Sequence, residues 1–297
     1  MTTADLPDFK AWLGRRRVEL DVLSLSSARG LAATLDREPQ GLALGQALPA
    51  GWHWAYFHPA ARRSALGSDG HEKRGEFLPP IPLPRRMWAG GSLRFSGDLR
   101  LGEEVQRTST IQSIEAKEGR SGPLVFVTVR HEIRNGDGAF VEEEQDLVYR
   151  TPPPTSRRGS DQPVGNPLPA DCDWSESYVA DEVTLFRFSA LTFNGHRIHY
   201  DHPYTTEVEG YPGLVVHGPL LALLLLDGGL RNWGGSALAF RYRALSPLFA
   251  SESFSLAGRR TGATPRGRGL EPRLAVNLWA AHPERGLAME AGLRLSE

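Results

Sequence analysis

The chain has 297 residues, of which 40% are hydrophobic and 23% charged, and its formal net charge is −1 at pH 7. This is the composition of a globular protein with room for two units and sizeable cores. The near-zero charge excludes a global field that would draw the chain to nucleic acid or to an anionic membrane.

The N-terminal stretch MTTADLPDFKAWLG has no basic segment followed by an apolar run, so it does not read as a secretory signal. The longest apolar run, Leu220 to Leu226, is far short of the roughly 20 residues that span a bilayer. The lone thiol, Cys172, has no partner for an intramolecular disulfide and fits a reducing cytoplasm. Asp171 and Asp173 flank it and disfavour a reactive thiolate. Short basic clusters, Arg15-Arg16-Arg17 among them, read as solvated surface or loop.

In chain order, the first helix is expected around Ser26–Asp36, with serines at its head to cap it. Pro59–Pro84, rich in Gly, Pro and charge, reads as a long loop. Strands are expected at Ser92–Leu99, Glu104–Ile114, Leu124–Arg134 and Ala139–Arg150, with Asn135-Gly-Asp-Gly138 as a hairpin turn. Six prolines between Thr151 and Pro169 predict a semi-rigid spacer. The chain then divides into units 1–150 and 171–297, joined by a linker at 151–170.

The second unit repeats the plan. A run at Val183–Phe188 is expected to present the following loop at a sheet edge. One helix follows at Pro219–Leu230, then strands at Ala237–Ala244, Glu252–Arg260, Arg273–Ala281 and Gly286–Leu295. Gly91-Ser-Leu-Arg-Phe95 and Gly235-Ser-Ala-Leu-Ala-Phe240 echo each other at the start of each sheet, which favours an internal duplication. The helix is apolar on every side and should be buried all round. An antiparallel sheet wrapping one such helix is the α+β hotdog layout, and two copies make a double hotdog.

The chemistry concentrates in Asn194-Gly-His-Arg-Ile-His-Tyr-Asp-His202, where three of the nine histidines fall within nine positions. His196, His199 and His202 do not share a helix face, and no Cys or Glu completes a metal set, so no metal is expected. Histidine suits proton transfer because its reference pKa of ~6.5 lies near working pH. An amide orients water but cannot take its proton. His199 is therefore the candidate acid/base group and Asn194 the water-orienting one. The bland alternative is that these rings only cap loops.

The second feature is Gly213-Leu-Val-Val-His217-Gly218-Pro219. Pro219 fits the first helical position, which puts Gly218 at the N-cap. The N–H groups of Gly218 and Leu220 then lack intrahelical partners, and a buried helix start of this kind favours developing negative charge, such as a thioester oxygen becoming an enolate.

At these residues the chain resembles the R-specific enoyl-CoA hydratases of the MaoC-like hotdog superfamily, whose motif runs Ser-Gly-Asp-x-Asn-Pro-x-His-x-Asp with a later Gly-x-x-x-His-Gly. His199 falls on the catalytic His of that motif, and Asn194 falls on its catalytic Asp, which is a departure. The variant looks like the double-hotdog branch that includes mesaconyl-C4-CoA hydratase, itaconyl-CoA hydratase and mitochondrial-type 3-hydroxyacyl-thioester dehydratase. Leu83 to Phe95 and Glu143 to Arg150 extend the similarity into the first unit.

The resemblance implies a hydro-lyase that adds water to an enoyl-CoA thioester and uses no cofactor. It implies one complete site, carried by the second unit, with a degenerate first unit making room for substrate. Asn194, His199 and His196 form the expected catalytic set. Gly218, His217, Arg197, Tyr200, Asp201, Trp88 and Arg241 form the expected oxyanion and substrate-binding set. Arg86, Arg197, Arg241 and Arg243 are candidates for a substrate carboxylate. The second acid/base group stays open between His196, a water held by Asn194, and Asp201. A cytoplasmic enzyme is expected, either a homodimer or a monomeric double hotdog. The rivals are a hotdog thioesterase, which needs an acidic residue facing the helix start, and a non-catalytic acyl-CoA-binding module.

Overall fold

The computed structural model describes residues 3–119, 122–151, 165–264 and 273–296. Most of the expected linker, at 152–164, lies outside the described residues.

The first half contributes β1 (Arg16–Val22), α1 (Leu25–Thr34), β2 (Arg85–Ser96), β3 (Glu104–Gly119), β4 (Gly122–Arg134) and β5 (Phe140–Arg150). The second contributes β6 (Trp174–Val179), α2 (Glu182–Leu191), α3 (Gly218–Trp233), β7 (Ala237–Ala244), β8 (Ser253–Thr264), β9 (Arg273–His282) and β10 (Gly286–Ser296). All ten strands form one antiparallel sheet in the order β1-β3-β4-β5-β2-β7-β10-β9-β8-β6. The order is the same read from either end: each strand of one half occupies the place of its counterpart in the other. The fold is a double hotdog whose two sheets join edge to edge. The seam is the pairing of β2 with β7, where Leu93 sits opposite Phe240. The two echoing segments therefore meet at the centre of the sheet.

Inside the sheet lies α3. Its residues Leu220 to Leu226 are all buried, and it packs against β7, β8, β9, β10 and, across the seam, β2. Burying a leucine contributes about 1.5–3 kcal/mol, so this helix anchors the core. Its N-cap is His217, not Gly218, and Gly218 and Pro219 open the first turn. His217 has extended backbone angles (φ −61°, ψ 130°), which end the incoming strand-like segment and start the helix one residue earlier than expected.

Two strands escape the sequence pattern. The Arg-rich segment expected as solvated surface or loop is at the surface but begins edge strand β1, whose residues alternate between exposed and half-buried. Its charges are cross-strand partners, as with Glu19 and Arg107 at 2.7 Å, and such charges are common on edges. Strand β6 forms the opposite edge. The Val183–Phe188 run is not at a sheet edge at all; it lies within α2. Asp181 caps that helix by accepting from the Thr184 N–H at 2.8 Å, and Leu185 and Phe188 share its buried face. The capping and the i, i+3 spacing outweigh the β propensity of its Val, Thr and Phe residues. Helix α1 starts one residue earlier than expected and is capped by Ser24, which accepts from the Ser27 N–H.

Candidate active site

The histidine motif leaves α2 through a tight turn. Asn194 N–H donates to the Ser189 carbonyl at 2.8 Å, and Asn194 Oδ1 accepts from His196 N–H at 3.0 Å. The Asn194 Oδ1 is thus engaged in the turn, whereas its Nδ2 amide makes no hydrogen bond among the described residues. A single 3-10 turn at Arg197–His199 then points His199 into the protein.

His199 is buried against the start of α3. Its Nδ1 lies 2.7 Å from the Val215 carbonyl oxygen. A carbonyl only accepts, so Nδ1 carries the proton and Nε2 keeps its lone pair. The ring stacks on His217 at 3.6 Å between centroids and meets His196 edge-on at 5.4 Å. His217, the N-cap of α3, is fully buried, with Nε2 2.8 Å from Ser189 Oγ. Burial pushes His199 down to about 4. Burial, followed by the neighbouring imidazoles, lowers His196 and His217 as well. At neutral pH these rings are uncharged bases.

The first half supplies two residues that the motif does not contain. The loop Gly67–His71 docks directly on the motif: Arg197 N–H donates to the Asp69 carbonyl at 2.9 Å, and Arg197 Nη1 to the Ser68 carbonyl at 3.0 Å. The backbones of Gly70 and Gly195 touch so closely that a Cβ on Gly70 would lie 1.9 Å from the Gly195 oxygen. This brings the His71 ring to 4.2 Å from His196. Asp69 holds His71 in place, with Oδ1 accepting from its N–H at 3.0 Å and Oδ2 from its ring Nδ1 at 3.1 Å. Burial and then Arg86 push His71 down to about 4, whereas Asp69 pulls it up. Asp69 itself is held well below the usual carboxylate range: burial raises it, but the His71 contacts and Arg86 more than offset that.

Asp69, His71 and His196 offer three donor atoms within 4.8 Å of one another. Both Asp69 oxygens are already taken by His71, and the Arg86 guanidinium acts on all three residues. The set suits proton handling better than a bound cation. His196, His199 and His202 do not converge, because His202 is exposed.

The remaining expected residues divide into three groups. Trp88 lies against Gly218, with its Cε3 2.9 Å from where a Cβ would be. Arg197, Asp201 and Tyr200 brace the motif. Arg197 Nη2 donates to Asp201 Oδ2 at 2.7 Å and its guanidinium sits 4.0 Å from the Tyr204 ring; the Tyr200 hydroxyl donates to the Gly195 carbonyl at 3.1 Å. Arg241 is exposed on β7, on the opposite face from Phe240 and Tyr242, which point into the core. It is not brought to the histidines. The only sequence sign of Asp69 and His71 was a long polar, glycine-rich loop, and loops of that length tend to be functional.

A family profile described as hydroxyacyl-thioester dehydratase type 2 matches residues 51–250. The chain belongs to that family. Hydroxyacyl-thioester dehydratases of this type are hydro-lyases, and this one is an acyl-CoA hydratase/dehydratase. It is 45% identical over 291 residues to a mesaconyl-C(4)-CoA hydratase of Chloroflexus aurantiacus, covering 97% of this chain and 98% of the relative. A mitochondrial hydroxyacyl-thioester dehydratase type 2 of Schizosaccharomyces pombe is 29% identical over 246 residues, covering 72% and 79%. Among solved structures, a MaoC-like dehydratase superposes with a TM-score of 0.73 at 15% identity, covering 97% of this chain and 99% of that one. A Mycobacterium tuberculosis protein described as having a double hotdog fold gives 0.58 at 14% identity, covering 100% and 98%. These two likenesses concern the fold.

Proposed function

We propose that this chain hydrates mesaconyl-C4-CoA to citramalyl-CoA, in both directions, at a site carried mainly by its second half. The observation that carries the reading is His199: a buried neutral imidazole with a free Nε2, beside the N-terminus of α3. The high identity to the mesaconyl-C(4)-CoA hydratase over nearly the full length of both chains supports the choice of acyl group.

In this reading His199 Nε2 takes a proton from water as the water oxygen bonds to the β carbon. The C=C electron pair moves onto the thioester oxygen. The unpaired N–H groups at the start of α3, on Gly218 and Leu220, favour that charge. The imidazolium then returns its proton to the α carbon, and the carbonyl re-forms. Asn194 Nδ2 orients the water.

The free carboxylate of mesaconyl-C4-CoA needs a cation. Arg197 is occupied by Asp201, and Arg241 and Arg243 are exposed on the outer face of β7. Arg86 is two residues from Trp88 on β2, so both project from one face of the strand. Its charge acts on Asp69, His71 and His196, and it is in no ion pair among the described residues. We assign the substrate carboxylate to Arg86, with the first half (1–150) accommodating substrate and the second (171–297) carrying the motif. The single free Cys172 fits a reducing compartment, and we place the enzyme in the cytoplasm.

A panel of mesaconyl-, itaconyl- and crotonyl-CoA tests this function, following loss of the conjugated-thioester absorbance, with a product assay for unconjugated itaconyl-CoA. Mesaconyl-C4-CoA should turn over fastest. Release of free CoA thiol without hydration would support a thioesterase instead.

A further inference from the structure

We propose that Asp69 and His71, from the first half, complete the active site as a positioning pair that replaces the motif carboxylate missing at Asn194. The inference rests on the hydratase reading and deepens it.

Three imidazoles run in contact from His71 through His196 to His199, at 4.2 and 5.4 Å between ring centroids. His217 continues the series at 3.6 Å. When His199 takes a proton from water, this buried group of rings acquires a positive charge. A buried cation is costly unless an opposite charge stands nearby. Asp69 is the carboxylate within 4.8 Å of the ring nitrogens of both His71 and His196. It fixes the His71 tautomer through Nδ1 and sets His71 against His196, as a second group orients a catalytic base.

The placement is built into the fold. Gly70 has a φ of +89°, which few other residues adopt, and its contact with Gly195 leaves no room for a side chain. Two hydrogen bonds from Arg197 to the Ser68 and Asp69 carbonyls lock the loop on the motif. An adventitious loop contact would not need a glycine on each side.

The proton balance is simple. One proton leaves water for His199 Nε2 and returns to the substrate's α carbon, while Asp69 neither gains nor loses one. Asp69 favours the charged rings. The charged groups facing them, Arg86 and Arg74 on the first half, oppose that charge; His217 at the start of α3 is an uncharged imidazole and Tyr149 on β5 a buried neutral phenol.

The experiment compares Asp69→Asn, Asp69→Glu and His71→Gln with the wild type over a range of pH. The inference expects Asp69→Asn to lower kcat about 10- to 100-fold with KM within about threefold. It also expects the acid limb of the kcat profile to move to lower pH, and Asp69→Glu to recover part of the rate. His71→Gln should resemble Asp69→Asn. Wild-type kcat and an unmoved pH profile in folded Asp69→Asn would overturn the pair, as would activity that chelators abolish and zinc restores. A uniform rate loss without a pH shift, unrescued by Glu, would show a merely structural loop and also overturn it. A wild type that hydrates no enoyl-CoA would instead sink the function reading.

Discussion

The ring of His199 is fastened by its Nδ1–H to the carbonyl of Val215, 16 residues away, at 2.7 Å. That one bond sets the tautomer and aims the basic nitrogen, and its acceptor lies just before the helix start that would take the substrate's developing charge. In the proposed mechanism one segment, Val215 to Gly218, therefore positions both the acid/base group and the oxyanion site.

His199→Ala should lower kcat by about 10²–10⁴-fold, the usual contribution of a positioned acid/base group. It also leaves the buried Val215 carbonyl without its partner, at a cost of about 1–3 kcal/mol. Steady-state kinetics and urea unfolding check the two effects separately.

Gly218→Ala places a methyl 2.9 Å from the Trp88 ring. The ring must move, with a cost typical of overpacking, about 1–3 kcal/mol. The expected outcome is a fall in kcat/KM of at least about tenfold, equivalent to about 1.4 kcal/mol of transition-state stabilisation. A change in tryptophan fluorescence should accompany it.

Gly70→Ala should undock the first-half loop. It combines a left-handed backbone with a 1.9 Å approach to the Gly195 oxygen. Loss of thermal stability together with loss of turnover is expected. Gly136→Ala is the control: an added Cβ there meets nothing within 4 Å, and both properties should be unchanged.

Arg86→Gln should raise KM for mesaconyl-C4-CoA by tenfold or more and leave crotonyl-CoA, which has no second carboxylate, little affected. Equal losses on both substrates would move the carboxylate contact elsewhere.

Stability should fall on acidification below neutrality. His71 and His199 titrate at about 4 in the folded chain, against 6.5 when unperturbed. Between those values the unfolded chain binds protons that the folded chain does not, so folding is weakened as pH drops from 6.5 towards 4 and the effect levels off below. Asp69, lowered in the fold, adds an acid loss of its own that sets in as pH falls below its unfolded pKa of ~3.9 and continues down through its lower folded value. Urea midpoints at pH 7, 5.5 and 4.5 should decline in that order, and less steeply in His71→Gln.

Much of this was legible in the residues. The all-apolar helix, the β-rich segments with their Asn-Gly-Asp-Gly turn and the echo between Gly91 and Gly235 lead to a double hotdog, because burial pattern and turn chemistry are local. The edge strands β1 and β6 were not legible, since a strand buried on neither face carries little hydrophobic alternation. Nor was α2, whose β-formers are overruled by a cap and by packing.

The site divides along the same line. The sequence by itself determined the candidates for the chemistry: the Asn194-to-His202 motif and the Gly218-Pro219 helix start put a candidate acid/base imidazole and candidate backbone donors within one stretch of chain. Only the tertiary structure decided which groups share that site. It set Arg241 on the outer face of its strand and engaged the Asn194 Oδ1 in a turn. It also carried Asp69 and His71 across more than a hundred residues to His196. That last contact depends on two glycine backbones meeting in space, a complementarity that no spacing along a single chain encodes.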